Sequence, residues 1–229
     1  MIPIRNTTPI DRTPVVTGIL IAANIAVFLY ALSLSGSDLM AFFFTFGIVP
    51  ARLLTLLPGS YNGITNAAVG PLLTSMFIHG DFFHIFFNVW TLRLFGPQIE
   101  DRMGRGRYLL FFLATGICSG AIHAFVNPHS TIPTVGASGA IAGILGAYFV
   151  LLPLSRITIL LPILIFPFFF DVPAFLYLFI WFFSQVHSGA WALIGSAPRH
   201  GGVAFWAHIG GFLSGIYLLS VLAPNKRRR

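Results

Sequence analysis

Charge is scarce in this chain: only 8% of its 229 residues are Asp, Glu, Lys or Arg, and only six are acidic. That is too little charge for the solvated surface of an ordinary soluble domain. A single cysteine, Cys118, excludes an internal disulfide framework, and it falls in the middle of an apolar run. The string His-Glu-x-x-His is absent, which removes the helix-borne zinc protease. Only Asp81 and Asp171 stand near membrane depth, so a buried pair of catalytic aspartates is also disfavoured. No soluble domain or internal repeat is visible.

What is present is apolar. Hydrophobic residues make up 56% of the chain, 25 of them Phe, and the mean hydropathy is +0.87, which places the chain among polytopic membrane proteins. A net charge of +7 would point to nucleic acid in a soluble protein; here topology accounts for it, and no nucleic-acid partner is expected. A bilayer core about 30 Å thick needs roughly 20 apolar residues of helix. Runs of that kind predict spans at 15–35, 108–126, 137–154 and 201–223. A further span at about 74–95 carries His79, Asp81, His84, Asn88 and Arg93, and its polarity says that it faces protein.

Residues 157–183 are too long for one straight span and are broken by Pro162, Pro167 and Pro173. With Asp171 as cap and Pro173 in the first turn, a span at 172–189 follows. Residues 157–170 then lie at or dip into the cytoplasmic interface, or form a short re-entrant segment. The reading is an all-α, six-transmembrane-helix bundle, one polytopic domain over residues 1–229, with an apolar outer loop at 36–73 partly embedded in the membrane. Placing the N-terminus in the cytoplasm leaves only Arg52 and Arg199 of the 13 basic residues outside, so the positive-inside bias predicts both termini cytoplasmic in a cell membrane, with the lipid bilayer as partner.

The polar groups on three of these spans then meet. Gly136-Ala137-Ser138-Gly139 opens the fourth span with a potential nucleophile, and Ala207-His208-Ile209-Gly210-Gly211 carries a titratable group into the sixth. With that helix beginning near Gly201, His208 lies about 10 Å down from the outer face. Ser138 reaches the same depth if the loop 127–137, with Pro128, Pro133 and Gly136, dips into the protein. Gly139 and Gly143 against Gly211 and Gly215 form two small-xxx-small pairs that let the helices touch backbone to backbone. Serine needs an adjacent base, so Ser138 and His208 form a dyad. The N–H groups around Gly136 to Gly139 stabilise an oxyanion, and His84 and Asn88, four residues apart on one face, add donors. His79 lies close by, an organiser of the outer loop; His123 pairs structurally.

In this order across six spans the motifs resemble a rhomboid-family intramembrane serine protease, over about residues 74–222, with Gly96, Glu100 and Gly104 resembling that family's cytoplasmic turn. The resemblance implies a serine endopeptidase that cleaves transmembrane protein substrates without metal or cofactor. It makes Ser138 the nucleophile, His208 the base, and His84, Asn88 and the Ser138 amide the oxyanion hole. His79, Gly136 and Gly139 line the site, which opens to the non-cytoplasmic side. Substrate enters between the second and fifth spans, with Phe87 and Trp181 as gate residues. One departure stands out: many members carry an aromatic residue four positions after the serine that stacks on the histidine, whereas Ala142 is here, so other neighbours must orient His208.

Haem binding or ion conduction could use His84 and His208 but leaves Ser138 unexplained. The strongest rival is a catalytically inactive relative that binds membrane helices as an adaptor or chaperone, and the intact Ser138 and His208 weigh against it.

Overall fold

A computed structural model of the protein describes residues 2–54, 70–163, 166–194 and 204–222. Directly after Pro14 the chain enters Val15–Leu32 (α1). The first N–H groups of a helix have no partner within it. Here Val16 N and Thr17 N donate to the Glu100 carboxylate at 2.8 and 2.7 Å, and Thr17 Oγ1 donates to it at 2.8 Å. A buried carboxylate from a distant helix therefore caps α1, with the sign of charge that a helix N-terminus favours.

Past a short turn, Gly36–Phe46 (α2) leads into the helical turns Pro50–Leu54 and Pro71–Thr74 and a 3-10 turn, Ser75–Phe77. Apart from Thr74 and the 3-10 turn, which belong to the start of the span predicted at 74–95, these are the described parts of the segment 36–73. Asp81 then accepts from His84 N at 2.9 Å and starts Phe82–Met103 (α3). The span placed at 74–95 thus begins and ends about two turns later than its apolar content implied, because the side-chain cap, not hydropathy, sets the start. Gly104, at φ +78°, turns the chain straight into Arg105–Val126 (α4), a conformation in which a side chain is disfavoured.

Ser138–Leu151 (α5) is the centre of the fold. Every residue from Gly139 to Tyr148 is buried, as a helix apolar on all sides must be. Its 14 residues are about 21 Å long at 1.5 Å per residue, so it is shorter than the 137–154 span predicted for it. Phe95 and Ile99 of α3, Tyr108, Phe111 and Phe112 of α4 and Ile144 and Tyr148 of α5 are fully buried around it.

The segment after α5 corrects the all-helical reading. Ile2–Asn6 (β1), Arg156–Ile163 (β2) and Phe166–Pro173 (β3) form an antiparallel sheet in the order β1-β2-β3. The β-branched run Ile157-Thr158-Ile159 and the Phe-rich run that follows suit a pleated surface, and the prolines that deny a helix are tolerable here. Pro162 pairs opposite Pro167 beyond the stretch 157–160 that β1 covers, and β3 is an edge strand. Ile157 and Ile159 are buried, the side chains flanking them less so. The sheet is tied to the helices: Trp90 Nε1 donates to Pro3 O at 2.7 Å, and Tyr148 Oη donates to Asn6 Oδ1 at 2.9 Å.

Ala174–Ile194 (α6) follows β3 at once, with Ala174 N donating to Ser155 O at 2.7 Å. Phe205–Leu222 (α7) is the last described element. Arg199, His200, the residues 201–203 with which the sixth span was to open, and the C-terminal run Lys226 to Arg229 lie outside the described residues. Among the described helices α1, α4 and α7 are long and apolar enough to cross a membrane.

Candidate active site

Glycine lets α5 and α7 meet. A Cβ at Gly211 would overlap Gly139 O, one at Gly215 would overlap Gly143 O, and one at Gly146 would overlap Phe212 O. Three backbone contacts along one helix pair leave no room for a methyl group, the arrangement expected of small-xxx-small pairs. Their register sets the N-terminus of α5, with Ser138, against the first turn of α7, with His208. Because α7 begins at Phe205, His208 sits in that first turn and not two turns down. Ser119 of α4 locks the junction, donating from Oγ to Ala207 O at 2.7 Å.

Ser138 is the first residue of α5, and Ala137 before it offers no side-chain cap. The N–H groups of a first turn are free of intrahelical partners and carry the positive end of the helix dipole. The loop leading there is stitched down rather than splayed. Ile48 and Thr134 exchange backbone hydrogen bonds at 2.9 and 2.7 Å, Gly136 N donates to Ser75 O at 2.9 Å, and Thr134 Oγ1 pairs with His123 Nε2 at 3.0 Å. His123 is thereby a structural partner of the loop, as its place in the sequence implied.

Gly136 is forced twice over. Its φ is +125°, and a Cβ there would stand 2.6 Å from His84 Nε2, so only glycine fits both the turn and the approach of the imidazole. The same Cβ position is 3.7 Å from Ser138 Oγ. His84 therefore borders Ser138. Its partner Asn88, four residues on, is buried and donates one amide hydrogen to His84 O at 2.8 Å, leaving the other available. His79 is fully buried, its ring edge-on to His84 with centroids 4.9 Å apart. A cavity of about 30 Å³ lies beside Ser138, lined by Ser75, Ser119, Thr134 and Ala207, enough for about one water.

Among the described residues no hydrogen bond joins Ser138 Oγ to His208. His208 is held instead from α6. Its Nδ1 lies 2.8 Å from Gln185 Oε1, and the Trp181 ring lies over it with centroids 6.0 Å apart and a 31° tilt. Gln185 escaped the reading of the sequence, although an amide four residues after Trp181 in a predominantly apolar helix was a signal, since polar groups in such helices face protein. Trp181 faces inward, also against Phe212. Phe87 is 54% exposed in the N-terminal half of α3. Among the described residues no ring contact joins the two residues assigned to a gate; α3 and α6 meet nearer their other ends, where Phe95 and Tyr177 stack with centroids 6.3 Å apart. Among the described residues no group of three His, Cys, Asp or Glu is placed to hold a metal.

Residues 66–225 match the family model described as "Rhomboid domain". The chain is 46% identical over 76 residues to the rhomboid protease GluP of Bacillus subtilis, covering 33% of this chain and 14% of that protein. It is 26% identical over 166 residues to rhomboid protein 1, mitochondrial, of Saccharomyces cerevisiae, covering 69% of this chain and 44% of the relative. Against the human presenilin-associated rhomboid-like protein, mitochondrial, identity is 29% over 153 residues, covering 66% and 36%. In each case the matched region is less than half of the relative's own length.

Proposed function

Because the chain belongs to the rhomboid family, we propose that it is an intramembrane serine endopeptidase that cleaves transmembrane segments of membrane proteins with a Ser138–His208 dyad. The observation that carries this reading is the glycine-mediated contact of α5 with α7, which puts a serine at a free helix N-terminus beside a histidine in the first turn of the neighbouring helix. His208 accepts the Ser138 Oγ proton as that oxygen attacks the scissile carbonyl. The oxyanion is then stabilised by the Ser138 N–H, the α5 dipole, His84 and the second amide hydrogen of Asn88. Collapse expels the amine, which takes the proton from His208, and leaves an acyl group on Ser138. A water, deprotonated by His208, attacks that ester; as the C–O bond breaks, His208 returns the proton to Ser138 Oγ, releasing the carboxylic acid product and the free enzyme. No metal or cofactor enters the scheme.

The site opens to the non-cytoplasmic side, with both chain termini cytoplasmic, and substrate enters laterally between α3 and α6. Among the described residues no ring contact joins Phe87 to Trp181, while Phe95 and Tyr177 stack nearer the other ends of α3 and α6, which supports such an opening. The test is labelling of the full chain by a fluorophosphonate, with cleavage of a transmembrane peptide in proteoliposomes. Wild type is expected to label at Ser138 and to cleave, and Ser138→Ala and His208→Ala to do neither. Because the two side chains act as one unit, the double variant is no worse than either single one. A well-folded wild type that binds the peptide but neither labels nor cleaves would establish the inactive adaptor instead.

A further inference from the structure

Ala142, fully buried on α5, stands where an aromatic would cover the base; its Cβ is in the tight α5–α7 contact, 3.2 Å from where a Cβ at Gly211 would be. A ring could not fit between backbones that close. The ring contact and the side-chain hydrogen bond of His208 both come instead from α6, from Trp181, whose ring centroid is 6.0 Å away, and from Gln185 at Nδ1.

The direction of the Gln185 amide is set by its own surroundings. Its Nε2 donates to Ser184 Oγ at 3.0 Å and to Trp181 O at 3.4 Å. With the nitrogen so engaged, the oxygen faces His208. A carboxamide oxygen only accepts hydrogen bonds, so the imidazole must present N–H at Nδ1. In a neutral ring that leaves Nε2 with its lone pair, the nitrogen a base needs free. Ser184 and the Trp181 carbonyl thus determine, through Gln185, which nitrogen of His208 holds the proton.

We infer that Gln185 is a positioning residue that fixes the tautomer and the orientation of His208 from α6, in the place of an orienting carboxylate. The titratable groups that act on His208 are His84 from α3 and His123 from α4, with no carboxylate among them. The helix that flanks the proposed lateral opening is then also the one that aligns the base. This inference rests on the dyad reading for its consequence in catalysis, but the tautomer itself does not.

The experiment pairs histidine ¹⁵N NMR of the full chain in bicelles with kinetics of Gln185→Met, Gln185→Ala and Gln185→Glu. Met keeps the volume and removes the acceptor, which separates packing from hydrogen bonding. The wild-type His208 signal is expected to be the Nδ1–H tautomer, and the Met and Ala variants to show mixed tautomers. Turnover in those two variants falls roughly tenfold to a hundredfold, within the factor of about 10²–10⁴ that a positioned base supplies, while KM changes less than about twofold. Gln185→Glu retains the acceptor and restores turnover at high pH, with the acid limb of its pH–rate profile moved upward by about one unit or more as a carboxylate faces the imidazolium. An Nε2–H tautomer in wild type, or a Met variant with unchanged tautomer, kcat and pH profile, overturns the inference. A correct tautomer in a chain that neither labels nor cleaves would uphold the positioning and overturn the protease.

Discussion

At Gly136 two constraints coincide on one atom. The positive φ excludes a side chain on conformational grounds, and the His84 imidazole occupies the place a Cβ would take. Gly136→Ala therefore displaces His84 or the loop before Ser138. Its expected signature is a loss of kcat of roughly 100-fold or more with the fold retained, since removal of one oxyanion donor alone costs about 10²–10³. The check is turnover against thermal unfolding in the same detergent; activity within threefold of wild type would separate His84 from the oxyanion. Asn88 is a milder case. One of its amide hydrogens is already committed to His84 O, so Asn88→Ala removes both a helix-face contact and a single donor. It is expected to lower kcat by about 10- to 1000-fold while fluorophosphonate labelling persists, because the hole matters most where charge develops. Labelling lost along with turnover would assign Asn88 to holding the nucleophile.

Among the elements, α5 depends on its neighbours most. It is too short to cross a bilayer of about 30 Å by itself, and its contacts are backbone on backbone. Gly143 faces the Thr115 side chain of α4 and, through its carbonyl, Gly215 of α7. Gly215→Val therefore pushes two methyl groups into the Gly143 carbonyl. Overpacking of this kind costs about 1–3 kcal/mol, more where backbone must move, so a clear fall in the unfolding midpoint is expected, with a proportionate loss of cleavage. An unchanged midpoint would mean that α7 slides without cost and that the α5–α7 register does not hold the dyad. The β-sheet is a second element-level feature: β1 ties the N-terminus to β2 and, through Trp90 and Tyr148, to the middle of α3 and the end of α5 away from Ser138.

Over the whole molecule the distribution of basic residues bears on orientation. The Arg-rich end of α3 and start of α4, with Arg102, Arg105 and Arg107, lies at the opposite end of those helices from His84 and His123. If that end is cytoplasmic, water must reach Ser138 from the other face. In a chain with Cys118 replaced by Ala, Asn88→Cys and His79→Cys are expected to react with a membrane-impermeant thiol reagent from the outside of oriented vesicles. Reaction from the cytoplasmic side alone would overturn both the topology and the route of the water.

The membrane class, the largely helical character and the glycine contacts between α5 and α7 were legible because each depends on composition or on short-range spacing: apolar runs, and glycines four apart that found each other in register. Helix limits were less legible. The Asp81 cap moved α3 and the first turn of α7 moved His208, since a hydrogen bond at a terminus outweighs average hydropathy. The three-stranded sheet was hidden because β1 and β2 are about 150 residues apart, and a Phe- and Pro-rich run by itself fits an interface as well as a strand. What no local pattern could contain is the support of the base. Trp181 and Gln185 reach His208 across more than 20 residues of sequence only when α6 packs on α7, and which nitrogen of an imidazole keeps its proton is decided by the partner that packing delivers.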